Sequence, residues 1–209
     1  MPDFAPTDGL PDDHVHPLSR AAWRAWLAEH HGRDAGVWLV RYKKATGRPT
    51  LPNAEVTREA LCWGWIDSVP RKLDAERSTL YVAPRAPGSG WSALNKRYVA
   101  EELAAGRIAP AGQAVIDAAR ADGSWSALDA VERLEVPADL AAAFDAHPGS
   151  RGHWDAFPRS AKRGILEWIH TAKRDATRAR RIEETARLAA DDRRANQWPR
   201  QDDTKAPSR

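Results

Sequence analysis

Between Trp63 and Asn95 the chain sets indoles beside charge. The stretch ALCWGWIDSVPRKLD (60–74) places Trp63 and Trp65 around Gly64, then adds carboxylates at Asp67 and Asp74 and cations at Arg71 and Lys72. A second stretch, APRAPGSGWSALNK (83–96), supplies Arg85, Ser89, Trp91, Ser92, Asn95 and Lys96 at a loop that leads into a helix start. Free N–H groups and a partial positive charge at such a start favour an anion, and an arginine just before it adds bidentate contacts. A carboxylate against an indole wall holds its proton more tightly, which makes Asp67 the best candidate acid or base. Arg85 and the helix start would then stabilise developing negative charge. The resulting expectation is one crevice lined by Trp63, Trp65, Asp67, Arg71, Arg85, Trp91, Ser92 and Asn95. It would take a small, partly aromatic ligand that is anionic at one end.

Each of these residues also has a plain structural reading. Ser92 can be simply an N-cap, Asp67 and Arg71 an internal ion pair, and Trp63 part of the core. In strand geometry Asp67, Val69 and Arg71 share one side while Ser68 and Lys72 share the other, subject to the effect of Pro70 on register.

Other chemistries lack their residues. There is no cysteine pair and no H-E-x-x-H; His14 and His16 fall in a segment without periodicity, and His30 and His31, about 100° apart on a helix, cannot chelate together. The segment PGSGW lacks the lysine of a phosphate loop, and no G-x-S-x-G elbow occurs. No metal and no cofactor is expected. The single Cys62 sits in an apolar stretch and suits a buried thiol in a reducing cytoplasm.

The elements that must position these residues follow from periodicity. Residues 1–16 are rich in Pro, Asp and Gly and read as a flexible arm. A helix follows over 19–31, with Ala22, Trp23, Trp26 and Leu27 on one face, then a strand over 37–43. Asn53 is a good N-cap for a helix over 54–65, and strands follow over 66–73 and 79–82. These strands make a small antiparallel sheet of about three. Ser92 caps the next helix and Gly106 ends it; Pro110 opens another that stops at Asp122-Gly123. Two short helices broken by Pro148 and Pro158 come next. An amphipathic helix over 160–173 follows, with Ala161, Ile165, Trp168, Ile169 and Ala172 inward, and a last helix begins near Ala176. The fold class is therefore α+β, with a predominantly helical C-terminal half, as a single domain over 17–190 and a polar tail over 191–209.

With 42% apolar residues the chain can bury a core, and its longest apolar runs are far short of a membrane span, so a folded protein without membrane insertion is expected. The start is acidic and Pro-rich, unlike an export signal. Although the net charge is only +3, residues 151–200 hold 13 Lys or Arg against 7 Asp or Glu. Those basic C-terminal helices offer an alternative function, binding of nucleic acid or another anionic polymer. A further alternative is a protein-interaction factor that docks through Trp198 in the tail.

Four stretches carry a resemblance: VWLVRYKKATG, EALCWGWIDSVPRKLD, the run from APRAPGSGW to ADGSW, and IHTAKRDATRARRIEETARL. With them, residues 17–190 resemble the YdeI/OmpD-associated, or bacteriocin-protection, protein family. Trp63 departs from the Phe often found there, as does the long polar tail. The resemblance implies a bacterial protein associated with envelope stress or antimicrobial-peptide resistance, and it implies no catalytic residue set.

Overall fold

The computed structural model describes residues 3–197. Trp198 and the remainder of the tail lie outside them. The α+β class holds, and the single domain expected over 17–190 divides into two compact units, one up to Ala127 and one from Leu128 onward.

The first unit runs β1 (His14–Val15), α1 (Arg20–His30), β2 (Val37–Tyr42), a 3-10 turn (Lys44–Thr46), α2 (Asn53–Cys62), β3 (Trp65–Lys72), β4 (Arg77–Pro84), α3 (Ala93–Ala104) and α4 (Pro110–Ala121). Its sheet has the order β1-β2-β4-β3, antiparallel except where β1 joins β2 in parallel. The expected three-strand antiparallel sheet is thus corrected to four strands of mixed direction. A two-residue strand is too short to show alternation, which is why the segment reads as a loose arm. It is tied down instead: the Trp38 N–H donates to Asp13 O at 2.8 Å, Ala5 N–H to His16 O at 2.9 Å and Leu18 N–H to Asp3 O at 2.7 Å. His16 is buried, its ring 4.7 Å from that of Tyr42.

One face of the sheet is the core. Trp23 and Leu27 of α1 and Val56 and Ala60 of α2 pack with Val37, Leu39, Trp65, Leu80 and Val82 of the strands. Capping fixes where the helices begin: Ser19 accepts from Ala22 N–H at 3.2 Å and Ser92 from Asn95 N–H at 3.2 Å. Asn53 does not cap α2. The preceding residue, Pro52, takes that place, and the Asn53 side chain accepts from Arg41. At the other end α2 stops at Cys62, since Gly64 takes φ +77°, a left-handed conformation that only glycine adopts at little cost.

Three helices are clamped by buried carboxylates. Glu59 of α2 accepts from Arg20 at 2.6 Å and from Arg24. Glu102 of α3 accepts from Arg20 at 2.7 Å, Arg58 at 3.0 Å and Arg107 at 2.5 Å.

The second unit is helical: α5 (Asp129–Glu132), α6 (Ala138–Ala146), α7 (Ser150–Ala156), α8 (Arg159–His170) and α9 (Asp175–Ala190). Pro137 and Pro158 cap α6 and α8, where a missing N–H costs nothing. Its own core joins Leu140, Phe144, Trp154, Ile165, Ile169 and Ala186. Trp168, expected inward, is half-buried, with the Arg181 guanidinium 4.9 Å from its ring.

Candidate functional site

The opening pair of indoles belongs to a packed corner. Trp65 is fully buried and its Nε1 donates to His31 O at 2.9 Å, while its ring meets Trp26 edge-on at 6.0 Å. Trp63, at the end of α2, lies with its ring 4.8 Å from His31 and under Arg24. Gly64 between them is pressed by α4: a Cβ there would stand 2.7 Å from Val115 Cγ2. No room is left for a ligand at Gly64 itself.

Asp67 and Arg71 make no ion pair with each other. A register shift between Asp67 and Pro70 separates their surroundings. Asp67 accepts from the Thr57 hydroxyl at 2.8 Å, whereas Arg71 lies 4.3 Å from the Trp38 ring. Asp74 forms the β3–β4 turn, accepting from Glu76 N–H at 2.8 Å and Arg77 N–H at 2.6 Å.

Arg85 and Trp91 do come together. The loop between β4 and α3 folds back so that the Arg85 guanidinium stacks on Trp91, 3.8 Å from the ring centre. Both line a cavity of about 90 Å³ whose other walls include Gly88, Ser89, Val115, Asp122 and Ser124. Arg85 is 8% and Trp91 1% exposed. Arg85 Nη2 donates to the carbonyls of Gly90 at 2.5 Å and Ser89 at 3.4 Å; Arg85 Nε and Trp91 Nε1 are buried with no partner. No carboxylate balances this cation among the described residues, and burial alone pushes its pKa down to about 10. Asp122 sits in the same wall but is committed elsewhere. Hydrogen bonds from Ser124 and the Gly88 backbone hold its carboxyl below the usual range. Ser92 and Asn95 follow directly in the chain as the cap and first turn of α3; Ser92 Oγ accepts from Asn95 N–H.

Of the eight residues expected in one crevice, then, the cavity walls contain Arg85 and Trp91. The walls from α4 and the turn after it, Val115, Asp122 and Ser124, carry no signal at the sequence level beyond a helix face and its stop. They reach the site by long-range packing around Ile116 and Ala119.

The basic C-terminal helices are neutralised only in part. Arg163 pairs with Glu132 and Glu167, Arg178 with Asp139 and Arg151 with Asp155, while Lys162 donates to Asp155 O at 3.0 Å. Among the described residues no cluster of His, Cys, Asp or Glu forms a metal site, and no helix is long and apolar enough to cross a membrane.

Residues 15–115, within the first unit, match a family described as a domain of unknown function (DUF8412). No curated protein and no solved structure matches the chain. Residues 133–192, within the second unit and including the TRARRIE motif, match the family described as bacteriocin-protection, YdeI or OmpD-associated, which the chain was expected to resemble over 17–190.

Proposed function

We propose that the protein takes part in bacteriocin protection by binding a small anion, a carboxylate or phosphate head, in the Arg85–Trp91 cavity. The observation that carries this reading is the buried guanidinium without a counter-charge. Burying a cation is costly unless an anion compensates it, and among the described residues Arg85 hydrogen-bonds only to neutral carbonyls. Two unpartnered N–H groups, Arg85 Nε and Trp91 Nε1, supply further donors of the right polarity. Size narrows the class: about 90 Å³ is smaller than the roughly 150 Å³ that accommodates a benzene ring, so an aromatic part of the ligand stays outside. Asp67 does not line the cavity, and the reading is one of binding rather than acid/base chemistry. A cytoplasmic setting agrees with Cys62, a buried thiol pushed up to about 12 by burial and by Glu59 and Glu102.

The test is thermal unfolding of wild type and Arg85→Met with a panel of short carboxylates and phosphomonoesters. A ligand at a hundredfold excess over its Kd stabilises the wild type by about 2.7 kcal/mol. Arg85→Met keeps the fold, because an apolar chain replaces an uncompensated buried charge, and loses the response to ligand. A variant that still gained the full shift would remove Arg85 from the site.

A further inference from the structure

The face of the sheet opposite the α1–α2 core carries a row of rings that the anion cavity does not use. His14 of β1, Trp38 of β2 and Tyr81 of β4 are cross-strand neighbours: His14 pairs with Trp38 and Trp38 with Tyr81 in the register. The Trp38 ring lies 6.4 Å from His14, nearly parallel to it, and 4.9 Å from Tyr81. From β3, Arg71 stacks 4.3 Å from the Trp38 ring centre, and Val69 beside it is 52% exposed. Trp38, Val69, Arg71 and Tyr81 line an open hollow of about 240 Å³.

We infer that this face binds single-stranded nucleic acid, one base stacking in the hollow against Trp38 and Tyr81 while Arg71 holds the adjoining phosphate. Half-buried flat rings and an exposed planar cation on this face match the π-face that every base presents. Charge agrees: Arg71 is exposed near the end of an edge strand and has no carboxylate partner among the described residues. The nearby acid Asp13 is engaged by His14 at 2.9 Å. A protein partner fits less well, since Val69 is the only large apolar residue well exposed on these strands among the described residues, too little for the apolar centre of an interface. Duplex DNA is excluded by shape, because paired bases show a surface ring only at the ends of the stack.

The experiment is fluorescence anisotropy of a labelled oligothymidylate of about 12 nucleotides with the full chain, titrated between about 50 and 200 mM salt, with a duplex of equal length as the comparison. The single strand binds more tightly than the duplex and quenches tryptophan emission. Arg71→Ala lowers the slope of log affinity against log salt by about 0.7. Trp38→Leu weakens binding about tenfold or more. Should Trp38→Leu fail to fold by circular dichroism, Tyr81→Leu together with Arg71→Ala decides the matter. No binding at the lowest salt, equal binding of duplex, or single-strand binding untouched by these changes overturns the inference. Loss of binding on Lys173→Ala with Arg174→Ala instead would locate it on the C-terminal helices.

Discussion

Gly64 is where a helix becomes a strand, and two requirements meet on it. Its φ of +77° disfavours any side chain, and a Cβ would press on Val115 of α4. Gly64→Val should therefore destabilise by well over the roughly 1 kcal/mol of ordinary helix propensity, read as a lower urea midpoint. An unchanged midpoint would mean that α4 yields freely. His16 makes a different residue-scale prediction. Burial first, and Arg77 second, hold its pKa below the ordinary 6.5, against the nearby Pro6 backbone, which raises it. The unfolded chain thus takes up this proton more readily than the folded one. The contribution to stability is complete above pH 6.5 and falls away as the pH drops below it. In His16→Phe the stability profile should flatten below pH 6.5; a profile parallel to that of wild type would assign the loss to other groups.

At the scale of elements, α1, α2 and α3 are joined by charge as well as by apolar packing. Burial would raise the Glu102 pKa, but hydrogen bonds from Arg107, Arg20 and Arg58 outweigh it and hold the carboxyl at about 2. This stability is present above the ordinary value of 4.5 and is lost as the pH falls toward 2. Glu102→Gln leaves three guanidiniums short of their shared acceptor and should cost about 3–5 kcal/mol in a denaturant titration; a cost below about 1 kcal/mol would reduce the clamp to ordinary surface pairing. Nothing in the spacing of Arg20, Glu59 and Glu102 announces this clamp, because the three are brought together only by tertiary packing. Local signals were legible: Ser92 as a cap, Pro110 at a helix start and the prolines that end α6 and α7 act where they stand in the chain. The candidate site was half legible for the same reason. Arg85 and Trp91 are close in sequence and remain together in space, whereas Trp63, Asp67 and Arg71 are sent to other surroundings by a left-handed glycine and a strand irregularity.

Across the whole molecule each unit holds its own apolar core, and each contains one of the two family matches. A fragment that begins at Leu128 should accordingly keep a helical spectrum and a cooperative melt; a featureless thermal trace would show that its core needs the first unit. Removal of residues 1–16 should lower the melting temperature of the first unit, since it strips β1 from the sheet and takes away His16. Unchanged melting would return that segment to the status of a loose arm. The sheet also has two edges to protect. On one side β1 offers only two residues, and on the other β3 carries Pro70 at its irregularity, followed by Arg71 and Lys72. A proline withholds one N–H, the irregularity bends the strand away from a flat template, and like charges repel a second copy of the same edge. The feature that misplaces Asp67 relative to Arg71 is thus also a guard against strand-to-strand aggregation, with the bent edge keeping crowded copies of the chain from zipping together into fibres.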